Sequence, residues 1–103
     1  MIGLGKWLFH VDTMLFKGDA VLKIFDNNGK YGFDIDISDI DVPEFSVTSV
    51  EEDGDTLNAV ATTSLLPGRE IPIAITFEDN VANGFIKAPM IGKIKLKDGK
   101  KVG

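Results

Sequence analysis

The stretch from Tyr31 to Glu44, YGFDIDISDIDVPE, carries Asp34, Asp36, Asp39 and Asp41 within eight positions. Carboxylates this close together suit three kinds of chemistry: holding a calcium ion, sharing a proton in acid–base catalysis, or wetting one face of a strand. A calcium loop of the EF-hand type draws oxygen ligands from positions 1, 3, 5 and 12 and needs glycine at position 6. Counted from Asp26, position 5 is Lys30, position 6 is Tyr31 and position 12 is Ile37, so the template fails. Asp39 and Asp41 could still meet Glu44 around a weakly held surface ion. Asp34 and Asp36 alternate with Phe33, Ile35 and Ile37, which makes them the outward row of a strand whose other face is dry. The expectation is a solvated acidic face, with no resident metal and no cofactor.

The other reactive side chains are sparse. His10 is the only histidine, so a multi-histidine zinc site is excluded. There is no cysteine, which removes disulfides, thiolate metal sites and cysteine catalysis. Ser38, Ser46, Ser49 and Ser64 could in principle partner His10, but no Gly-x-Ser-x-Gly elbow frames any of them. GLGKW at 3–7 has too few residues before its lysine for a phosphate-binding P-loop. The reading is a protein that is not an enzyme.

Charge is unevenly spread. The net charge is −5, from 16 acidic and 11 basic residues, which disfavours a nucleic-acid partner. Acids crowd residues 26–55, where Lys30 is the only base; lysines crowd residues 87–103, where Asp98 is the only acid. Lys93, Lys95 and Lys97 form a row that is either a solvated face or a strip for an acidic partner. Weak, salt-sensitive association of copies through the two charged sides would follow from the same map, with a monomer as the alternative.

The 103 residues fit one domain, residues 1–103, and 44 % apolar composition supplies a core. No apolar run is long enough to span a membrane as a helix. MIGLGKW lacks a basic stretch followed by an apolar one, so no signal peptide is expected; a cytoplasmic location follows if that N-terminus is native. Period two dominates: Trp7, Phe9 and Val11 alternate with Leu8 and His10, and Ala20, Leu22 and Ile24 with Val21 and Lys23. Turn pairs Asn28-Gly29, Asp53-Gly54, Pro67-Gly68 and Asp79-Asn80 separate the runs. The runs fall at 5–12, 18–26, 30–38, 44–51, 55–63, 69–78, 81–88 and 91–97. Pro72 predicts a bulge or an unpaired stretch inside the sixth. The connections are too short for crossover helices, so neighbours should pair antiparallel.

Closing such a sheet removes its exposed edges. The expected fold is therefore all-β, a small closed antiparallel up-and-down barrel, with a two-sheet β-sandwich as the alternative. Small residues at inward positions, Ala20, Ala59, Ala61, Gly84, Ala88 and Gly92, admit two readings. They let a bulky side pack across a narrow barrel, or they roof a small apolar pocket with Thr62, Thr63 or Tyr31 as polar handles. On the pocket reading the ligand-facing set is Trp7, Tyr31, Phe33, Ala59, Ala61, Thr63, Ile73 and Gly84.

Gly5-Lys6-Trp7, at the head of the first of eight antiparallel runs, resembles the Gly-x-Trp signature of the lipocalin (calycin-type) barrels. The chain as a whole is similar to small bacterial lipocalin-like domains, with GKW near the start and APMIGKIKL near the end. The resemblance implies that Trp7 closes the bottom of the barrel and that a basic residue of the last strand, Lys97, Lys100 or Lys101, covers its ring. The family's Thr-Asp-Tyr loop motif is absent and the chain is short, which puts a deep ligand cup in question. The functional expectation is a binding or accessory domain for a small apolar ligand; the alternative is a protein-interaction module, an inhibitor-like barrel or a domain of a larger protein.

Overall fold

The computed structural model describes residues 1–12, 17–37, 45–64, 67–88 and 92–103. Eight strands account for most of them: β1 (Gly5–Asp12), β2 (Lys17–Asn27), β3 (Lys30–Ile37), β4 (Phe45–Asp53), β5 (Thr56–Thr63), β6 (Ile71–Glu78), β7 (Val81–Ala88) and β8 (Gly92–Lys101). They form one antiparallel sheet in the order β3-β2-β1-β8-β7-β6-β5-β4. The sheet rolls into a nearly closed barrel, the architecture that the alternation predicts. Among the described residues no helix is long and apolar enough to cross a membrane.

Closure is made by β1 against β8, with Trp7 opposite Lys101 and His10 opposite Lys97. β3 and β4 are the two ends of the sheet and share no ladder. Consecutive strands therefore pair everywhere except at this one step, and the barrel keeps a seam.

The side-chain period fixes which face is buried. Trp7, Phe9 and Val11 of β1, Leu22 and Ile24 of β2, and Ile75 and Phe77 of β6 all point inward and are buried. Leu57 at 2 % exposure and Ala82 at 0 % join them, although neither stands out in its own strand. Tyr31, Phe33, Ile35 and Ile37 pack against this cluster but are only partly buried, because no strand covers the free side of β3.

Local chemistry sets the turns and breaks. Asn28 and Gly29 take φ of 56° and 88°, as a two-residue hairpin of type I′ requires, and Asp26 accepts the Gly29 N–H at 2.7 Å. Pro72 sits in register opposite Val60 without a bulge, while the β6–β7 ladder begins only at Ile73. The missing proline donor thus falls on an unpaired side. The last strand runs to Lys101, beyond the expected end at Lys97, because Asp98-Gly99 forms a bulge across which the ladders to β1 and β7 continue. Asp98 has φ 52°, and its N–H donates to Asn83 Oδ1 at 2.9 Å. Gly99 is required there: a Cβ would lie 2.2 Å from the ring of buried Phe9.

The end of the barrel at the 28–29, 54–55 and 79–80 turns is shut by aromatic packing. The Trp7 and Phe77 ring centroids lie 4.9 Å apart at 50°. The Trp7 indole N–H donates to the Gly3 carbonyl at 2.8 Å, which brings the N-terminal segment across the bottom. Trp7 is buried at this end, and its ring partner is Phe77 rather than Lys97, Lys100 or Lys101. The lysines that lie over rings are on the outer face, Lys23 over Phe25 and Lys87 and Lys93 over Phe85.

Candidate functional site

All eight strands send side chains into the middle of the barrel, and they do not quite fill it. A cavity of about 70 Å³ remains, lined entirely by apolar residues. A buried site needs roughly 10–15 Å³ and two or more polar partners to hold one water, whereas an apolar cavity of about 150 Å³ stays dry and admits benzene. This cavity has the room for a few methylene groups and lacks the polar partners that water wants.

Of the expected ligand-facing set, the structure brings Phe33, Ala59 and Ile73 to the cavity wall. Trp7 and Tyr31 stand at the closed end instead. Ala61 is buried one inward step above Ala59. Thr63 lies opposite Phe45, half-buried. Gly84 lies on the inner row between Ile75 and Leu96, where a Cβ would meet the Ala74 carbonyl oxygen at 2.0 Å. Its small size serves the close approach of β6 and β7. Ala88 and Gly92 face each other at the end of the β7–β8 ladder, and Gly92 is exposed at φ +95°.

Phe45, Val47 and Ile86 also line the cavity, and sequence reasoning did not single them out. On β4 the signal is broken by a bulge. β4 pairs Val47 with Ala61 and then Ser49 with Val60, so Thr48 is an extra residue, and its hydroxyl donates to the Val60 carbonyl at 3.3 Å. The bulge flips the parity of β4. Val47 and Val50 both face inward, and so does Glu52, opposite Leu57. The three-residue spacing of the two valines is the trace of this in the sequence.

That flip places a polar bridge at the seam. The Tyr31 hydroxyl donates to the Glu52 carboxylate and accepts the Ile2 N–H at 2.7 Å. Partial burial first, and then the hydrogen bond to Glu52, raise the Tyr31 pKa above its ordinary 10.0. Above this bridge the strands separate: over most of their length the Cα atoms of β3 and β4 stay more than 8 Å apart. Paired antiparallel strands bring facing Cα atoms to about 4.5–5.5 Å.

Asp34 and Asp36 are exposed on the outer face of β3, as expected of a wet row. Asp39, Asp41, Glu44 and Ser38 lie outside the described residues. Among the described residues no three acidic or histidine side chains gather to hold a metal. His10 Nδ1 lies 3.2 Å from Asp19 Oδ1 on the exposed outer surface, with no serine in the pair. Lys93, Lys95 and Lys97 are exposed and border a shallow outer groove with Asn83 and Phe85.

These features define an all-β barrel with an apolar centre and an unpaired seam. No family model, no curated protein and no solved structure matches the chain.

Proposed function

We propose that this chain is a small ligand-binding barrel of the lipocalin-like kind, without catalytic activity, whose ligand is a slim apolar chain. The observation that carries this is the central cavity, apolar on every side and walled by Phe33, Ile35, Phe45 and Val47 where β3 and β4 part. Its volume excludes rings and branched hydrocarbons in the conformation described and suits the tail of an unbranched alkyl or acyl group. The seam gives that tail a way in that, among the described residues, no ladder hydrogen bond blocks. Trp7 at the closed end, the Gly5-Lys6-Trp7 opening and the eight-stranded meander support the lipocalin-like reading.

Titration with a dansyl-labelled long-chain fatty acid tests it. The expected result is saturable one-to-one binding with methyl NMR shifts at Ile35, Ala59 and Ile73, weakened about tenfold or more by Ala59→Leu, which occupies the cavity. Binding that leaves those methyls unmoved, or that Ala59→Leu does not affect, overturns the reading.

A further inference from the structure

The seam has a second property that the cavity does not explain. β3 and β4 are the two end strands of the sheet, and among the described residues neither has a ladder partner on its outer edge. Free edges of this length are templates for another strand unless something blunts them. Proline and inward charge are absent between residues 32 and 37 and between 45 and 50, and the bulge at Thr48, which β4 makes against β5, is the device that interrupts the second edge. The spacing also fits. One strand inserted between two others needs them about 9–10 Å apart, twice the inter-strand distance, and β3 and β4, more than 8 Å apart over most of their length, are already too far apart to pair with each other. The Tyr31–Glu52 bridge closes the lower end, and residues 32–37 of β3 and 45–50 of β4 have no ladder partner across the seam among the described residues.

The chemistry of the two faces then specifies the guest. Inward positions along the open edges are Phe33, Ile35, Ile37, Phe45, Val47 and Val50, so the guest must be apolar on that side. Outward positions beside the gap include Asp34, Asp36 and Glu51, all exposed, and among the described residues none of the three forms an ion pair. No basic residue stands on β3 after Lys30 or anywhere on β4. A segment with lysine or arginine on its outward side is favoured and an acidic one is repelled.

From this we infer that the β3–β4 seam is a docking site for a partner protein, which inserts an extended segment of alternating apolar and basic residues as a ninth strand. Main-chain hydrogen bonds to both edges supply the attachment, and the alternation selects the sequence. The inward side chains of the guest enter the cavity, whose size suits valine better than a ring. This inference rests on the edges and charges and stands apart from the alkyl-ligand reading.

The probe is a capped peptide of about seven residues alternating valine and lysine, matched to the open edge length at one residue per roughly 3.3 Å. Two controls accompany it, the valine–glutamate counterpart and the valine–lysine peptide N-methylated at alternate residues. The expected result is saturable binding with new hydrogen-exchange protection of amides in both 32–37 and 45–50. The affinity should fall as salt rises and by about tenfold for the Asp36→Lys, Glu51→Lys double variant. The N-methylated peptide should fail to bind although its charge is unchanged. Equal binding of the N-methylated or glutamate peptide, protection on one edge only, or no binding overturns the proposal. Protection of the same amides that grows with protein concentration, with no peptide present, assigns the seam to a second copy and overturns the partner assignment.

Discussion

The Tyr31 hydroxyl and the Glu52 carboxylate are hydrogen-bonded across the step from β3 to β4, where no ladder runs among the described residues. Both side chains belong to inward rows, Tyr31 by simple alternation and Glu52 by virtue of the bulge at Thr48. The bond stitches the free ends of the sheet beside the aromatic floor. Removing it by Tyr31→Phe should lower stability by about 1 kcal/mol in chemical denaturation, since the Ile2 N–H and the carboxylate both lose a partner.

The same phenol should give the protein an alkaline limit. Its folded-state pKa lies above the ordinary 10.0, raised by partial burial and by Glu52. A group of this kind adds stability that is whole below its unfolded pKa and is lost as pH climbs through the raised folded value. Stability of the wild type should therefore decline above about pH 10, and the Tyr31→Phe variant should lack that part of the decline. Tyr31 is the only tyrosine, so phenolate absorbance reads it alone. Glu52→Gln should bring its titration closer to the ordinary value.

Trp7 is 2 % exposed, with its indole N–H satisfied by Gly3 and its ring against Phe77. Its fluorescence maximum should lie in the blue range of a buried indole, and Trp7→Ala should cost about 3–5 kcal/mol. An emission maximum typical of exposed tryptophan would contradict this packing.

Gly99 and Phe9 should behave as a coupled pair. Gly99→Ala drives a methyl to 2.2 Å from a ring that is itself 1 % exposed, so the ring cannot swing into solvent. The cost expected from overpacking is about 1–3 kcal/mol. Phe9→Leu in the same chain removes the clash, and the double variant should be more stable than the two single losses predict when added. Gly84→Ala meets backbone at Ala74 instead, so no side-chain truncation should rescue it.

Ala59→Val adds two methyl groups to the wall of the central cavity. At roughly 0.8 kcal/mol per buried methylene, less what imperfect fit takes back, the variant should be about 1 kcal/mol more stable. Thermal unfolding measures this. A loss of stability would show that the space is already too tight for the added branch.

Much of the barrel is legible in the sequence because period two survives on most strands. Trp7, Phe9 and Val11, or Ile73, Ile75 and Phe77, announce their buried face without help from neighbours. Asn28-Gly29 announces its hairpin for the same local reason. What escapes is everything that depends on a partner strand. Asp98-Gly99 reads as a strand end, and only the Asn83 side chain and the Phe9 ring make it a bulge. Glu52 reads as surface acid and is exposed, but its place on the row beside Tyr31 depends on the extra residue at Thr48, which changes parity without changing composition. The seam is the extreme case: a sequence of alternating runs predicts closure, and nothing in residues 30–37 or 45–53 says which ladder will be missing.

The missing ladder falls between strands that follow one another in the chain, whereas the ladder that closes the barrel joins the strands nearest its two ends. Six of the seven pairings are hairpins between consecutive strands and can zip locally. The β1–β8 pairing must wait for the longest loop of all to close, which makes it the costliest in chain entropy. Folding therefore has a natural order, with two meanders, β1 to β3 and β4 to β8, forming before they dock edge to edge. Substitutions at the β1–β8 edge, such as Leu8→Ala, should raise the unfolding rate and leave the refolding rate nearly unchanged, since the hairpins form without that edge. The same division lets two chains trade their β1 to β3 units with every ladder preserved, so refolding at high concentration should yield an exchanged dimer that size-exclusion chromatography separates from the monomer.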